Sequence, residues 1–237
     1  MERKSLKVGL FVPCCVDQFG VATAANMVKI LESSGVECHY EPSLTCCGQR
    51  LYVQGQLESA KRLGTQLIEA FRPYSHVVTC SSLCAAYLRH DLPRLFAHSA
   101  LFHEAQEFGA KVRELSDFLL NVLGGTPTAL SFPHRVGLVE PARAQRDYPL
   151  SDEPKRLLRA LEGLDLVELG TLDTDLLYAA AFPDIAVALW DNLLDRAARA
   201  GVQYLTSSEP SLLLQLKARI AKRGLEIHCR NLADVLV

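Results

Sequence analysis

Apolar positions along the chain keep two alternating rhythms. "LKVGLFV" (6–12), "GVECHY" (35–40) and "HVVTC" (76–80) are short, β-branched runs bounded by turn residues, the pattern of strands. Between them, 19–34 and 55–72 carry apolar residues three and four apart. Met27, Ile30 and Leu31, then Leu63, Leu67, Ile68 and Phe71, predict two amphipathic helices. "ELSDFLLNVLGG" (114–125) predicts another, capped by Ser116 and closed by glycine. Strand–helix–strand alternation predicts an α/β fold with largely parallel sheets.

The rhythm then repeats. "KVGLFVPC" (7–14) overlays "RVGLVEPA" (135–142) at an offset of 128, and "KILESSGVECHYE" (29–41) loosely overlays "RALEGLDLVELGT" (159–171). "SHVVTCSSLC" (75–84) overlays "VQYLTSSEPS" (202–211) at an offset of 127. Helical stretches at 183–200 and 210–223 fill the matching places, and "LEIHC" (225–229) predicts an extra strand. Two copies at this period predict two similar α/β lobes, 1–127 and 128–237, with a seam in the turn-rich "GGTPTALSFP" (124–133).

Composition and charge narrow the function. The 237 residues are 49% hydrophobic and 22% charged, enough for a substantial core. A net charge of −2 argues against a bulk electrostatic hold on nucleic acid or an anionic membrane. No apolar run reaches the roughly 20 residues of a membrane helix, so no membrane insertion is expected. "MERKSLK" leads directly into "VGLFV", too short an apolar run for a signal peptide. The expected location is cytoplasmic.

The eight cysteines change the picture most. In a reducing compartment clustered thiols serve as metal ligands or redox groups more often than as disulfides. Cys14, Cys15, Cys38, Cys46, Cys47, Cys80 and Cys84 lie in the first 84 residues, and only Cys229 lies beyond. Under the repeat, Cys14 faces Ala142 and Cys84 faces Ser211, while the counterpart of Cys46-Cys47-Gly48 is "TDLLYAAAF" (174–182). One copy carries sulfur; the other keeps the shape. The first-copy groups follow predicted strands, at the carboxyl ends where parallel sheets bind ligands.

The adjacent pair Cys46-Cys47 raises a geometric question, since neighbouring side chains of an extended chain point to opposite sides. Both thiols reach one object only if the chain turns around it, and Gly48 supplies the freedom for that turn. A cluster several ångströms across accepts vicinal thiolates more readily than one tetrahedral zinc, whose paired ligands are usually spaced C-x2–4-C. Adjacency favours iron–sulfur and leaves zinc as the alternative.

The whole pattern, C-x(31)-C-C-G-x(35)-C, resembles the cysteine-rich CCG domain family, whose branches include the heterodisulfide reductase B subunit and lactate utilisation protein A. "VPCCVDQF", "CCGQRLYVQG" (46–55), the "SSLC" loop ending at Cys84, "ELSDFLLNVLG" (114–124) and "NLADVL" (231–236) are similar to the second branch, in the same order. The resemblance implies two lobes and a cluster, of 4Fe-4S type, held by Cys14, Cys46, Cys47 and Cys84. It implies an electron-transfer subunit, working with the other subunits of a complex that oxidises L-lactate or a similar 2-hydroxy acid. Whether such a subunit is itself an enzyme stays open. Cys15 and Cys80 are possible additional ligands; the heterodisulfide reductase C-x-x-C would place its first cysteine at Ser81, one position after Cys80. Family members normally carry a second CCG motif, and this chain does not, so chemistry needing paired clusters is not expected of it.

Two further readings compete. The chain could be a structural adaptor in a redox complex, binding zinc or no metal, or an independent thiol-redox enzyme using Cys15 and Cys80. Cys38 and Cys229, within predicted strands, read as core residues. His39 and His228 read as polar-face residues, while His76 and His90 flank the Cys80–Cys84 loop as candidate outer partners. Asp17 and Gln49 resemble family positions near the cluster and read equally well as capping and loop residues. No G-x-G-x-x-G, G-x4-G-K-[ST] or G-x-S-x-G motif appears, so neither a nucleotide cofactor nor a serine hydrolase is supported.

Overall fold

The computed structural model describes residues 6–125, 130–148, 150, 152–172 and 176–237. It contains two four-stranded, all-parallel sheets. The first uses β1 (Leu6–Leu10), β2 (Val36–Tyr40), β3 (Val77–Thr79) and β4 (Val112–Glu114); the second uses β5 (Arg135–Pro141), β6 (Asp165–Leu172), β7 (Tyr204–Ser207) and β8 (His228–Asn231). Their orders, β2-β1-β3-β4 and β6-β5-β7-β8, are the same topology twice. The first two strands pair in the same register in both copies, Lys7 with Glu37 and Arg135 with Asp165, before a bulge after Leu138 breaks the match. This puts the counterpart of Glu37 at Asp165, two places from the Val167 of the sequence overlay. Even the central-strand glycines correspond. A Cβ on Gly9 would meet Phe71, at the end of a crossover helix, at 2.5 Å, and one on Gly137 would meet Leu169 of β6 at 2.7 Å, so each glycine leaves room for a neighbouring side chain against its strand.

The elements depart from the sequence expectation where a local rule was overridden. The helix expected at 19–34 is Val21–Ser33, and a further short helix, Cys14–Phe19, precedes it across Gly20. Cys14 therefore opens a helix rather than ending a strand. Three-residue β4 was not expected, since "VRE" is too short and too charged to show an alternating pattern. Its last residue, Glu114, and not Ser116, caps the next helix by accepting the Ser116 N–H at 2.7 Å. That helix widens to a π turn over Phe118–Val122 and ends at Leu123, before the glycine pair. The strand expected at 225–229 lies at His228–Asn231, because Ile227 turns into the core and Leu225 packs against it. Of "TDLLYAAAF", residues 174 and 175 lie outside the described residues and Leu176–Ala181 is helical.

Three buried clusters hold these elements. Two belong mainly to the outer faces of the two sheets, around Phe71 and Tyr87 and around Leu194 and Leu205. The third takes Val8, Leu10, Met27, Leu31 and Phe118 from the first half together with Leu138, Leu157, Leu158, Leu232 and Val235 from the second. Polar bonds accompany this shared core: Asp234 accepts from Thr23 Oγ1 at 2.9 Å and from Asn26 Nδ2 at 3.0 Å. No helix is long and apolar enough to cross a membrane among the described residues.

Candidate metal centre

At the carboxyl ends of both sheets lies a pocket lined by Cys14, Cys15, Cys46, Cys47 and Cys84 from the first half and by Glu209 and Ser211 from the second. It is partly open to solvent, and the roughly 530 Å³ between its walls runs into the bulk rather than forming a closed chamber. Three local structures deliver the thiols. Cys14 and Cys15 start the Cys14–Phe19 helix directly after β1, with Pro13 preceding them. Cys46 and Cys47 come from the loop after β2, and Cys84 sits in the first turn of the Ser82–Ala86 helix after β3.

Gly48 turns the vicinal pair inward. Its φ of +92° lies in the left-handed region, and its N–H donates to Cys46 Sγ at 3.4 Å. A Cβ there would meet nothing closer than 3.5 Å, so the glycine serves conformation and not space. Cys84 Sγ and Cys47 Sγ are 3.4 Å apart. Hydrogen bonds from Cys14 and Cys47 to Cys46 hold the Cys46 thiol well below its ordinary range, helped by the Gly48 N–H and the Arg50 charge. The same bonds, followed by burial, push Cys14 and Cys47 up. Cys46 is thus the thiol its neighbours favour as thiolate.

The remaining cysteines divide. Cys15 lines the pocket and also packs on the shared core; burial pushes its thiol up. Cys80, 1% exposed, belongs to the core and is not on the pocket wall. Cys38 and Cys229 pack against core clusters from their strands, with thiols pushed up by burial to about 11 and about 12. Gln49 lines the pocket, whereas Asp17 does not. His90 bonds Asp91, and His76 bonds Ser75 and packs on Phe118. Neither histidine reaches the thiols.

Among the described residues, no three His, Cys, Asp or Glu side chains gather around a point that would hold a single ion. The thiols border a volume instead. Behind the paired thiols Tyr87 is fully buried, and its hydroxyl has no hydrogen-bond partner among the described residues. That hydroxyl lies 3.5 Å from where a Cβ of Gly48 would be, and burial followed by the Cys47 charge pushes it up.

Sequence reasoning missed the second half's contribution to the wall. Glu209 is 2% exposed and accepts from Ser81 Oγ at 2.6 Å and from the Leu83 N–H at 3.1 Å. Ser82 N donates to Ser208 O at 3.1 Å, alongside. The available signal was the overlay itself: Glu209 occupies the place of Ser82, two positions from each of the Cys80 and Cys84 counterparts, Ser207 and Ser211.

The model of the CCG cysteine-rich domain family matches residues 8–89, which hold all four CCG-pattern thiols. Lactate utilization protein A 1 of Bacillus cereus (strain AH820) is 30% identical over 236 residues, 98% of this chain and 98% of that one. Lactate utilization protein A of Bacillus thuringiensis (strain Al Hakam) is similar to the same extent, 30% over 98% of each chain. Among solved structures, glutamate racemase isoform RacE1 of Bacillus anthracis overlays 99% of this chain and 79% of its own at 13% identity and a TM-score of 0.40.

Proposed function

Since the chain belongs to the lactate utilization protein A family, we propose that it serves lactate utilisation as an electron-transfer subunit. In this reading Cys14, Cys46, Cys47 and Cys84 hold an iron–sulfur cluster of the 4Fe-4S type. The observation that carries the reading is the gathering of four distant thiols on one pocket wall. Three features of the residues present fit such a group. The donors are soft sulfur, suited to iron or zinc. Two of them are vicinal, a spacing that suits a cluster better than one zinc, whose paired ligands are usually C-x2–4-C. The Tyr87 hydroxyl, behind Gly48, is a buried donor with no acceptor among the described residues.

When bound, the cluster supplies a one-electron carrier. The chain's own residues do the rest. Cys46 is the sulfur most ready to bind as thiolate, and binding requires release of the protons held on Cys14 and Cys47. The Gly48 N–H, donated to Cys46 Sγ here, would lighten the charge on that sulfur with a cluster bound, a lever on cluster potential. Cys15 and the shared core close the floor behind the thiols. Substrate chemistry belongs to the other subunits of a complex acting on L-lactate or a similar 2-hydroxy acid.

Anaerobic purification should give a brown protein with about four irons and matching acid-labile sulfide per chain, by cluster stoichiometry. Stoichiometric zinc without iron would transfer the pocket to a structural role. Colourless, metal-free protein after attempted reconstitution would remove the cluster altogether.

A further inference from the structure

We infer that Glu209 is a positioning residue for the thiol pocket, a brace from the second half that sets the loop and helix start bearing Cys84. Only the second arm of its test rests on the cluster reading above. The carboxylate is buried and divides its two oxygens between the halves. Oε2 accepts from Ser81 Oγ and the Leu83 N–H; Oε1 accepts from the Ser211 N–H at 3.0 Å and the Ser211 hydroxyl. Four donors converge on it, and no ion pair to it is formed among the described residues.

The chain of bonds leads to the thiol. Ser81 caps its helix by accepting the Cys84 N–H at 3.1 Å. A serine hydroxyl has one proton and two lone pairs. An acceptor-only carboxylate takes that proton, which turns the lone pairs towards the Cys84 amide. Leu83 N–H is one of the first-turn donors that a helix cannot satisfy from within, and the same carboxylate oxygen satisfies it. Glu209 therefore fixes two consecutive residues, Leu83 and Cys84, through a contact 128 positions away in sequence. It also brings an unpaired acidic group to the wall of the pocket. A negative charge there opposes the addition of an electron nearby.

The brace is particular to this half. Ser208, the counterpart of Ser81, is held by Glu140 through its N–H at 2.9 Å and its hydroxyl. Both carboxylates come from the second half, since Glu140 overlays Val12 and Glu209 overlays Ser82. Without the second half, the thiol loop has no acid to hold it.

The first arm uses metal-free, reduced, full-length protein and needs no cluster. Alkylation by iodoacetamide is followed at each cysteine by peptide mass spectrometry. Glu209→Gln places amide hydrogens against donors and should speed labelling of Cys84 about tenfold, with Cys38 and Cys229 unchanged. Ser81→Ala, which leaves every charge in place and removes one hydroxyl, should give a similar rise; it carries the arm alone if Glu209→Gln does not fold. Wild-type labelling of Cys84 in folded Ser81→Ala would overturn the brace.

The second arm reads the midpoint potential of iron-loaded protein. Glu209→Gln should raise it by the equivalent of a tenfold change in the oxidised-to-reduced ratio, about 59 mV for one electron. Ser81→Ala should leave it near wild type. A purely structural contact would not separate the two variants in this way, and equal potentials would overturn the electrostatic part. Wild-type protein that accepts no iron would sink the cluster reading and leave the labelling arm to decide the brace.

Discussion

After β3 the chain reads Thr79-Cys80-Ser81-Ser82-Leu83-Cys84; after β7 it reads Thr206-Ser207-Ser208-Glu209-Pro210-Ser211. Each stretch leaves a central parallel strand with a fully buried threonine, turns, and opens a helix whose first N–H groups are capped by a side chain. The backbone task is shared, yet the side chains have separated. In the first copy, Ser81 does the capping and Cys84 faces the pocket; in the second, Glu209 caps and Ser211 stands where the thiol would be. Counterpart positions Cys84 and Ser211 line the same pocket. The second half is thus a wall of the one thiol site and not a damaged second site of its own.

The largest effect should come from the sulfur itself. Cys47→Ser and Cys84→Ser are each expected to abolish retention of iron and acid-labile sulfide, because either leaves the pocket one thiolate short. Ser211→Ala and Cys229→Ser should keep wild-type metal content. If Ser211→Ala lost iron as completely as Cys84→Ser, the asymmetry between the copies would be gone.

Next in size is the core. Leu10 and Leu138 are counterparts, equally buried at 3%, and belong to one cluster. Leu→Ala at either should cost about 2–5 kcal/mol. Urea unfolding should show one transition lowered by both, since the two sheets pack on the same side chains. Separate transitions, each sensitive to one substitution, would divide the chain into independent lobes.

A pH effect of similar or smaller size follows from the buried carboxylates. Burial raises Glu114 to about 8 and Glu140 to about 7, from an ordinary value of 4.5. Between those limits the unfolded chain has released protons that the folded chain keeps, so stability falls as pH rises. It is fully present below about 4.5 and lost once pH passes the folded values. The loss in metal-free protein should be on the order of a few kcal/mol between pH 5 and 8, with Glu140→Gln giving a shallower slope. An identical slope in that variant would mean that Glu140 does not titrate in this window.

The smallest effect sharpens the comparison from the surface. Lys7–Glu37 at 2.9 Å and Arg135–Asp165 at 3.1 Å are the same exposed cross-strand pair in the two copies. Lys7→Ala and Arg135→Ala should each change stability by less than about 1 kcal/mol, and less still at high salt. A difference well above that between the two would show that the copies bear load unequally at their edges.

Much of the architecture was legible because the signals were local. The strands around Val8, Val78 and Leu205, the crossovers between them, and the repeat at 127–128 residues all appear in the periodicity of apolar positions. Misreadings occurred where the deciding contact was elsewhere. Nothing in "VRE" marks a strand until Val77 and Thr79 offer it an edge. Ser116 looks like a cap, but the buried Glu114 side chain two residues earlier takes that place, accepting the Ser116 N–H. Cys80 and Cys15 were indistinguishable as spare thiols, since burial is a property of the assembled core; one faces inward and the other lies on the pocket wall.

The order of residues alone placed seven of the eight cysteines in the first third of the chain and a glycine turn after the paired thiols, because composition, spacing and backbone freedom are properties of short segments. Folding decided which sulfurs meet, and that Glu209 reaches across to Ser81 and Leu83. Those outcomes depend on how two sheets are laid against a common core, and no stretch of sequence contains the distance between two residues that only packing brings together.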